Sequence, residues 1–484
     1  MFIGIDLGTS GVKVIVLNRQ GKILENVTKP LTISRPKPLW SEQNPNDWWK
    51  ATCNAMDELA KITDLSLIES IGLSGQMHGA VTLDPSGNII RPAILWNDGR
   101  CSHECDLLET IVPNSRTITG NIMMPGFTAP KIKWLERHEP NNHANIAKVL
   151  LPKDYLRFKL SGDFASDMSD SAGTMWLDIE SRTWNDELLQ ASGLTQDNMP
   201  KLYEGSEVTG YLYENLASRW GMKQVPIVAG AGDNAAGAIG VGVTKPGEAM
   251  LSLGTSGVYF AVSDGMVVNT ESALHSFCHA LPKTWHGMSV ILSAASCLDW
   301  VVKLTGKQNV AELLEDAEKN SNPDSEVIFL PYLSGERTPH NDPNAKGIFW
   351  GMTHETSGSD LAVAVLQGVG FAFADGFAAV HDVGIIPNEI SLIGGGARSP
   401  YWRQMLADIT GIKLMFREGG EVGPALGAAR LARLAIDNSL PIHEICTVPD
   451  LIQSHTPDPL ENEKYQQKYV KYRRIYQQLK SISQ

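Results

Sequence analysis

A chain of 484 residues exceeds what one ordinary hydrophobic core holds, so two or three domains are expected. Its apolar content of 43% and charged content of 20% fit a soluble globular protein. The net charge of −13 argues against nucleic acid and against an anionic membrane as partner, although one local site can still take a small phosphate ligand.

The chain opens on a strand, Phe2-Ile3-Gly4-Ile5-Asp6, so neither a signal nor a transit peptide is expected ahead of it. No uncharged run approaches the ~20 residues of a membrane helix, and the cytoplasm is the expected compartment. Leu7-Gly8-Thr9-Ser10-Gly11 then makes a turn, Val12–Leu17 a second strand and Lys22–Thr28 a third. A carboxylate beside such a glycine- and hydroxyl-rich turn would repel a phosphate unless Mg²⁺ or Lys13 lay between them.

Trp48–Ile62 has helical spacing, and Ile68–Ser74 reads as a buried strand ending in Gly75-Gln76-Met77-His78-Gly79. Open α/β sheets bind ligands at the C-terminal ends of their strands. Taken alone, His78 reads more simply as a satisfied turn histidine. Ile94-Leu95-Trp96 breaks into the polar turn Asn97-Asp98-Gly99-Arg100, and residues 120–137 and 151–178 continue an α/β pattern. The six cysteines (Cys53, Cys101, Cys105, Cys278, Cys297, Cys446) form no CxxC pair and read as reduced, buried thiols. Cys101-Ser102-His103-Glu104-Cys105 could be drawn as a metal site, but helical spacing turns His103 away from the two thiols.

Val225–Ala229 is the next strand, followed by a glycine turn and Asp233 at the head of a helix of small residues. There the backbone N–H groups and the helix dipole are expected to lower its pKa and keep it ionised. Its plain structural role would be a helix cap. Lys245-Pro246-Gly247 is a candidate hinge. A further strand runs into Gly254-Thr255-Ser256-Gly257, so that Leu7–Val12 returns residue for residue as Leu253–Val258. This echo suggests a duplicated domain with a nucleotide in the cleft between the copies.

Beyond it the pattern predicts strands over 273–279, 281–291, 327–330, 390–393 and 414–416, and helices over 294–306, 361–383, 401–410 and 422–435. A charged helical tail follows from about Glu461. Gly394-Gly395-Gly396, between a strand and a helix, lets a flat ring or a phosphate approach the backbone. The spacing is not a dinucleotide fingerprint, and no Walker loop is present.

Six stretches together resemble the sugar kinases of the FGGY family, built on the actin-like ATPase fold. They are Ile5–Ser10, Trp40–Gln43, Gln76–Gly79, Leu95–Arg100, Gly232–Gly237 and Gly394–Ser399, in an order and separation that cover nearly the whole chain. The resemblance is closest to the members that phosphorylate a ketopentose; a kinase for ribulose, gluconate or glycerol is the alternative. It implies an α/β fold of two duplicated actin-like (ribonuclease H-like) domains, residues 1–244 and 245–484, with a cleft between them. It implies ATP and Mg²⁺, a small sugar as the other partner, and is compatible with a homodimer.

The resemblance also implies roles. Asp233 would take the proton from the sugar hydroxyl. Asp6, Gly8, Thr9 and Lys13 would face the ATP phosphates, Asp6 also holding Mg²⁺ through water. Gly254, Thr255 and Ser256 would hold phosphate from the second domain, and Gly395 with Gly396 would flank adenosine. Met77, His78 and Asn234 would line the sugar site with Asp233. One departure is visible: Gly230-Ala231-Gly232 stands where relatives often carry three glycines, which matters only if Ala231 must take a positive φ. The same fold serves chaperones and sugar-sensing repressors, but this chain starts on a strand rather than a DNA-binding helical module, and its tail is too short for a peptide-binding domain.

Overall fold

In the computed structural model, which describes residues 1–418 and 423–483, one sheet grows outward from the opening hairpin. β1 (Phe2–Leu7) and β2 (Gly11–Leu17) pair antiparallel with Asp6 opposite Lys13, and β3 (Ile23–Pro30) extends the meander. The helix α1 (Pro45–Ile62) crosses one face. It begins three residues earlier than the apolar spacing predicts, because the Asn44 side chain accepts from the N–H of Asn46 and Pro45 fits the first turn. On the other side of β1, β4 (Ser70–Gly75) pairs in parallel; beyond it lie the edge strand β5 (Val208–Tyr211) and, between them, β6 (Pro226–Val228).

After the helix α2 (Asp233–Gly240) the second half repeats this plan. β7 (Ala249–Leu253) and β8 (Gly257–Ser263) form the second hairpin. β9 (His275–Cys278) and β10 (Trp285–Ile291) extend it on the β8 side. Residues 280–284 are a turn, closed by the His279 N–H on the Thr284 carbonyl, so the strand predicted from 281 starts late. β11 (Glu389–Ile393), β12 (Lys413–Arg417) and the antiparallel edge β13 (Leu451–His455) complete the other side. The path β5-β6-β4-β1-β2-β3 thus recurs as β13-β12-β11-β7-β8-β10, with the same parallel and antiparallel neighbours. The duplicated α/β architecture implied by the hexapeptide echo is present.

Alternation sets the layers. In β7 and β8, Leu251, Leu253, Tyr259 and Ala261 face one core, which holds α3 (Ser296–Thr305) and α4 (Gly358–His381). α4 is long and apolar enough by length and composition to cross a membrane, yet 83% of its apolar window is buried in this core. Met250, Phe260 and Val262 face the opposite way, into a core shared with Met123, Phe127 and Trp176 of the first half. The first sheet is covered by a helix from the far end of the chain, α5 (Gly423–Ile436), lying on β1, β4 and α2. Val422, the predicted start of that helix, lies outside the described residues. Gly4 and Gly72 make the approach: a Cβ on either would stand 2.0 and 1.9 Å from the carbonyls of Ala425 and Ala428.

All six cysteines are buried and free. Cys101 and Cys105 face inward while His103 is exposed on the same turn.

Candidate active site

β1 delivers Asp6 to the end of the first sheet. Ser74 of the neighbouring β4 donates to its Oδ1 at 2.8 Å. Burial raises the Asp6 pKa, while the Ser74 hydrogen bond and the Lys13 charge oppose the rise. The hairpin tip is held by polar side chains: Thr9 Oγ1 donates to Gln76 Oε1 at 2.9 Å and accepts from Trp96 Nε1 at 3.0 Å, and Gln43 Nε2 donates to the Thr9 carbonyl at 2.8 Å.

The turn that carries Asp233 is fixed by close backbone contact. Gly230 has φ +78°, and a Cβ there would stand 1.9 Å from the Leu73 carbonyl oxygen. Ala231 takes no positive φ, so the departure from three glycines costs nothing. The Gly232 N–H donates to Ser169 Oγ at 3.1 Å. Asp233 is the first residue of α2, not its cap, and its Oδ1 accepts from the Asn234 N–H at 2.7 Å and the Asn234 side chain at 3.0 Å. The expected lowering of its pKa does not occur. Removal from water and the charge of Asp6 push the carboxyl up to about 7, against the two Asn234 hydrogen bonds. Desolvation beside a second carboxylate outweighs one helix terminus.

A cavity of about 280 Å³ brings the two halves together at this point. Met77, His78, Asp233 and Asn234 of the first half line it opposite Gly254, Thr255 and Ser256 of the second. His78 has φ +68°, and its Nδ1 bonds the Gly173 carbonyl at 2.8 Å. Burial and the Lys131 charge hold its pKa down at about 3, so the ring is neutral. Nδ1 must then donate to that carbonyl, which leaves Nε2 as an acceptor. Lys131 in turn donates to the carbonyls of His78 and Gly126 at 2.8 and 2.7 Å.

A second cavity, about 770 Å³, shares Gly254 and Thr255 with the first and adds Gly395 and Gly396. One side is apolar (Leu298, Val310, Leu314); Ser296, Asp299 and Arg398 supply polar groups. The N-terminal end of α3 supports the shared turn, since Ser296 Oγ donates to the Thr255 carbonyl at 2.8 Å and the Ala295 N–H to that of Gly254 at 2.9 Å. No room exists at Gly396 for a Cβ, which would meet Leu253 at 2.7 Å, whereas Gly395 faces open space.

Asp6, Gly8, Thr9 and Lys13 form the wall of neither cavity. Asp6 reaches the smaller one through its charge on Asp233, and Thr9 through Trp96, which lines it. Among the other wall residues, Trp96, His275 and Arg337 had been given no individual role by the sequence. Trp96 sat inside a recognised motif. Arg337 sat in the polar stretch Ser334–Thr338, whose course through the fold no local pattern gives. Also unread was a sealed cluster behind Ser169, in which Lys153 meets Asp154, Asp167 and Asp170.

Residues 1–240 match the model for the N-terminal domain of the FGGY family of carbohydrate kinases, and residues 249–436 that for its C-terminal domain. The chain is 60% identical over 479 residues to the xylulose kinase of Escherichia coli K12, with 99% of each chain covered. It is 56% identical over 482 residues to that of Klebsiella pneumoniae, with 100% of each covered. The crystal structure of a xyloylose kinase from Brucella ovis superposes with a TM-score of 0.96 at 45% identity, covering 99% of both chains. On its sequence, its duplicated sheets and the cleft between them, the chain belongs to the FGGY family of carbohydrate kinases.

Proposed function

We propose that the protein transfers the terminal phosphoryl group of ATP to D-xylulose, giving ADP and D-xylulose 5-phosphate. The observation that carries this reading is the meeting of Asp233 and the Gly254–Ser256 turn in one cavity, which shares Gly254 and Thr255 with the larger, partly apolar one. The full-length likeness to xylulose kinases supports the choice of sugar. The larger cavity suits a flat base and ribose, with Gly395 and Gly396 beside the adenosine. Its shared turn would bring the triphosphate to the sugar.

Phosphoryl transfer asks mainly for positioning and charge neutralisation. The sugar hydroxyl bonds to Asp233, its oxygen attacks the terminal phosphorus, the bond from that phosphorus to the bridging oxygen breaks, and the hydroxyl proton ends on Asp233. A carboxyl with a pKa near 7 suits this work better than an ordinary aspartate, because near neutral pH a large share of it is ionised while it is basic enough to keep the proton. Met77 packs against Gly232, and His78 Nε2 offers an acceptor to a second sugar hydroxyl. Gly8, Thr9 and Lys13 would meet the phosphates from the first lobe, and Gly254, Thr255 and Ser256 from the second.

The Asp6 carboxylate, whose charge acts on Asp233, fits a divalent cation, since one carboxylate with water and phosphate oxygens is a usual Mg²⁺ set. Asp6 would hold it, through water, and the ion would neutralise charge on the phosphates when bound. We also place the boundary between the two lobes near residue 244, with the braced turn at Lys245-Pro246-Gly247 as the connector. An ADP-release assay over D-xylulose, ribulose, gluconate and glycerol tests the reading; kcat/KM highest for D-xylulose is expected, and a higher value for any other acceptor would replace that sugar.

A further inference from the structure

Arg337 is a cation facing the smaller cavity, and among the described residues no carboxylate bonds its guanidinium directly. Its guanidinium makes one hydrogen bond among the described residues, from Nη1 to His275 Nε2 at 3.4 Å, and no ion pair with a carboxylate. The charge of the adjacent Glu336 acts on it, but through no direct bond to the guanidinium. Glu336 Oε1 accepts from the backbone N–H groups of Leu292 and Arg337 at 2.9 and 2.8 Å, and burial pushes that carboxyl up to about 8.

The arginine is nevertheless aimed. Asn121 donates through Nδ2 to the carbonyls of Thr119 and Ser276, at 2.6 and 2.7 Å, which fixes its Oδ1 as an acceptor. His275 Nδ1, 3.2 Å from that Oδ1, must therefore carry the proton, and Nε2 must present its lone pair to Arg337. Burial and the Arg337 charge hold His275 neutral, consistent with this tautomer. The relay runs from a first-half loop to a second-half side chain. It occupies one N–H of the guanidinium and leaves the others to the cavity. Gly126 lies beside it: a Cβ there would stand 4.0 Å from Nη2, an ordinary contact distance, and 2.8 Å from the Trp96 carbonyl oxygen.

We propose that Arg337 reads the keto end of the sugar, the C2 carbonyl and the C1 hydroxyl oxygen. This rests on the ketose reading above. A guanidinium only donates and a carbonyl oxygen only accepts, whereas the hydroxyl that is phosphorylated must donate to the carboxylate of Asp233. A cavity of about 280 Å³ is small enough for a five-carbon chain to touch both walls at once. The ketose therefore has one orientation in which each end meets its chemical complement. His275 and Asn121 are positioning residues that act through Arg337.

The test compares D-xylulose with 1-deoxy-D-xylulose and with xylitol, in which the carbonyl is a hydroxyl group, for the wild type, Arg337→Ala and Arg337→Lys. The expected result is a rise of about 10- to 100-fold in KM for D-xylulose in Arg337→Ala. At least one of the two kcat/KM ratios, ketose over analogue, should also collapse by tenfold or more. Arg337→Lys, which keeps the charge but not the fork, should fall between, and supplies the same ratios if the alanine variant does not fold. Ratios unchanged from wild type in both variants would overturn the proposal, because a merely structural loss would affect all three compounds equally. Failure of the wild type to phosphorylate D-xylulose would instead overturn the choice of sugar.

Discussion

The carboxyl of Asp233 costs the empty protein stability, and the sign of that cost can be measured. Its folded pKa of about 7 lies above the ordinary 3.8. As pH rises past 4 the unfolded chain ionises Asp233 while the folded chain still holds the proton, so stability falls from about pH 4 to pH 7 and then levels. Asp233→Asn removes this loss. A sealed group would account for about 4 kcal/mol; the cavity admits water, so we expect about 1–2 kcal/mol of stabilisation at pH 8, vanishing below pH 4, in paired denaturant titrations. The same variant should retain under a few per cent of turnover. The acid limb of kcat/KM in the wild type should fall tenfold per pH unit below an apparent pKa no higher than about 7. Asp6→Ala should lose turnover and bind nucleotide poorly when Mg²⁺ is present, read by calorimetry; unchanged Mg·ATP affinity would exclude its phosphate-facing role.

Single residues were legible where a backbone motif announced them. Asp6, Asp233 and the two glycine turns stand on strand ends that the sequence marks with alternation and turn residues. The charge state of Asp233 was not legible, because it depends on the field of Asp6, which is 227 positions away in the chain and becomes a neighbour only on folding. Arg337 and His275 were silent for the same reason: nothing local says that a polar loop and a strand start will face Asp233 across a cleft.

At the scale of elements, small residues decide which helix covers which sheet. α5 lies on β1 and β4 only because Gly4 and Gly72 leave no Cβ in its way, and Gly427 does the same for α2, where a Cβ would stand 1.8 Å from the Ala236 carbonyl. Gly427→Ala should therefore destabilise by about 2–3 kcal/mol or more through overpacking, seen as a lower denaturation midpoint with unchanged slope. An unchanged midpoint would mean that the two helices part at no cost. The alanine- and glycine-rich character of this helix was visible in the sequence, but its destination was not. A helix of Ala, Gly and Leu at residues 423–436 carries no mark saying that it returns to the first sheet rather than covering the second. Element ends were also misjudged where capping chemistry rather than apolar spacing set them, as at Asn44-Pro45.

On the scale of the whole molecule, the smaller cavity is built from both halves and the larger from the second. The turn at Lys245-Pro246-Gly247 is not slack: Glu248 Oε2 accepts from the N–H groups of Thr244 and Lys245 at 2.7 and 2.9 Å, and the Gly247 N–H bonds the Val262 carbonyl. Closure over substrates would move the lobes as bodies about this turn and the α5 crossing, excluding water from the phosphoryl group. Sugar and a non-hydrolysable nucleotide together should shrink the radius of gyration in small-angle scattering; an identical curve would mean that the cleft is already closed without them.

The return of α5 has a consequence for any attempt to divide the protein. Cut at residue 244, the amino-terminal piece would leave Phe2, Ile15 and Leu17 on an uncovered sheet face, since their packing partners Ala425, Ala429 and Leu431 sit on the other piece. Produced alone it should be insoluble. Produced together with residues 245–484, the two polypeptides should co-purify and regain activity, with the late helix acting as the clasp that rejoins them.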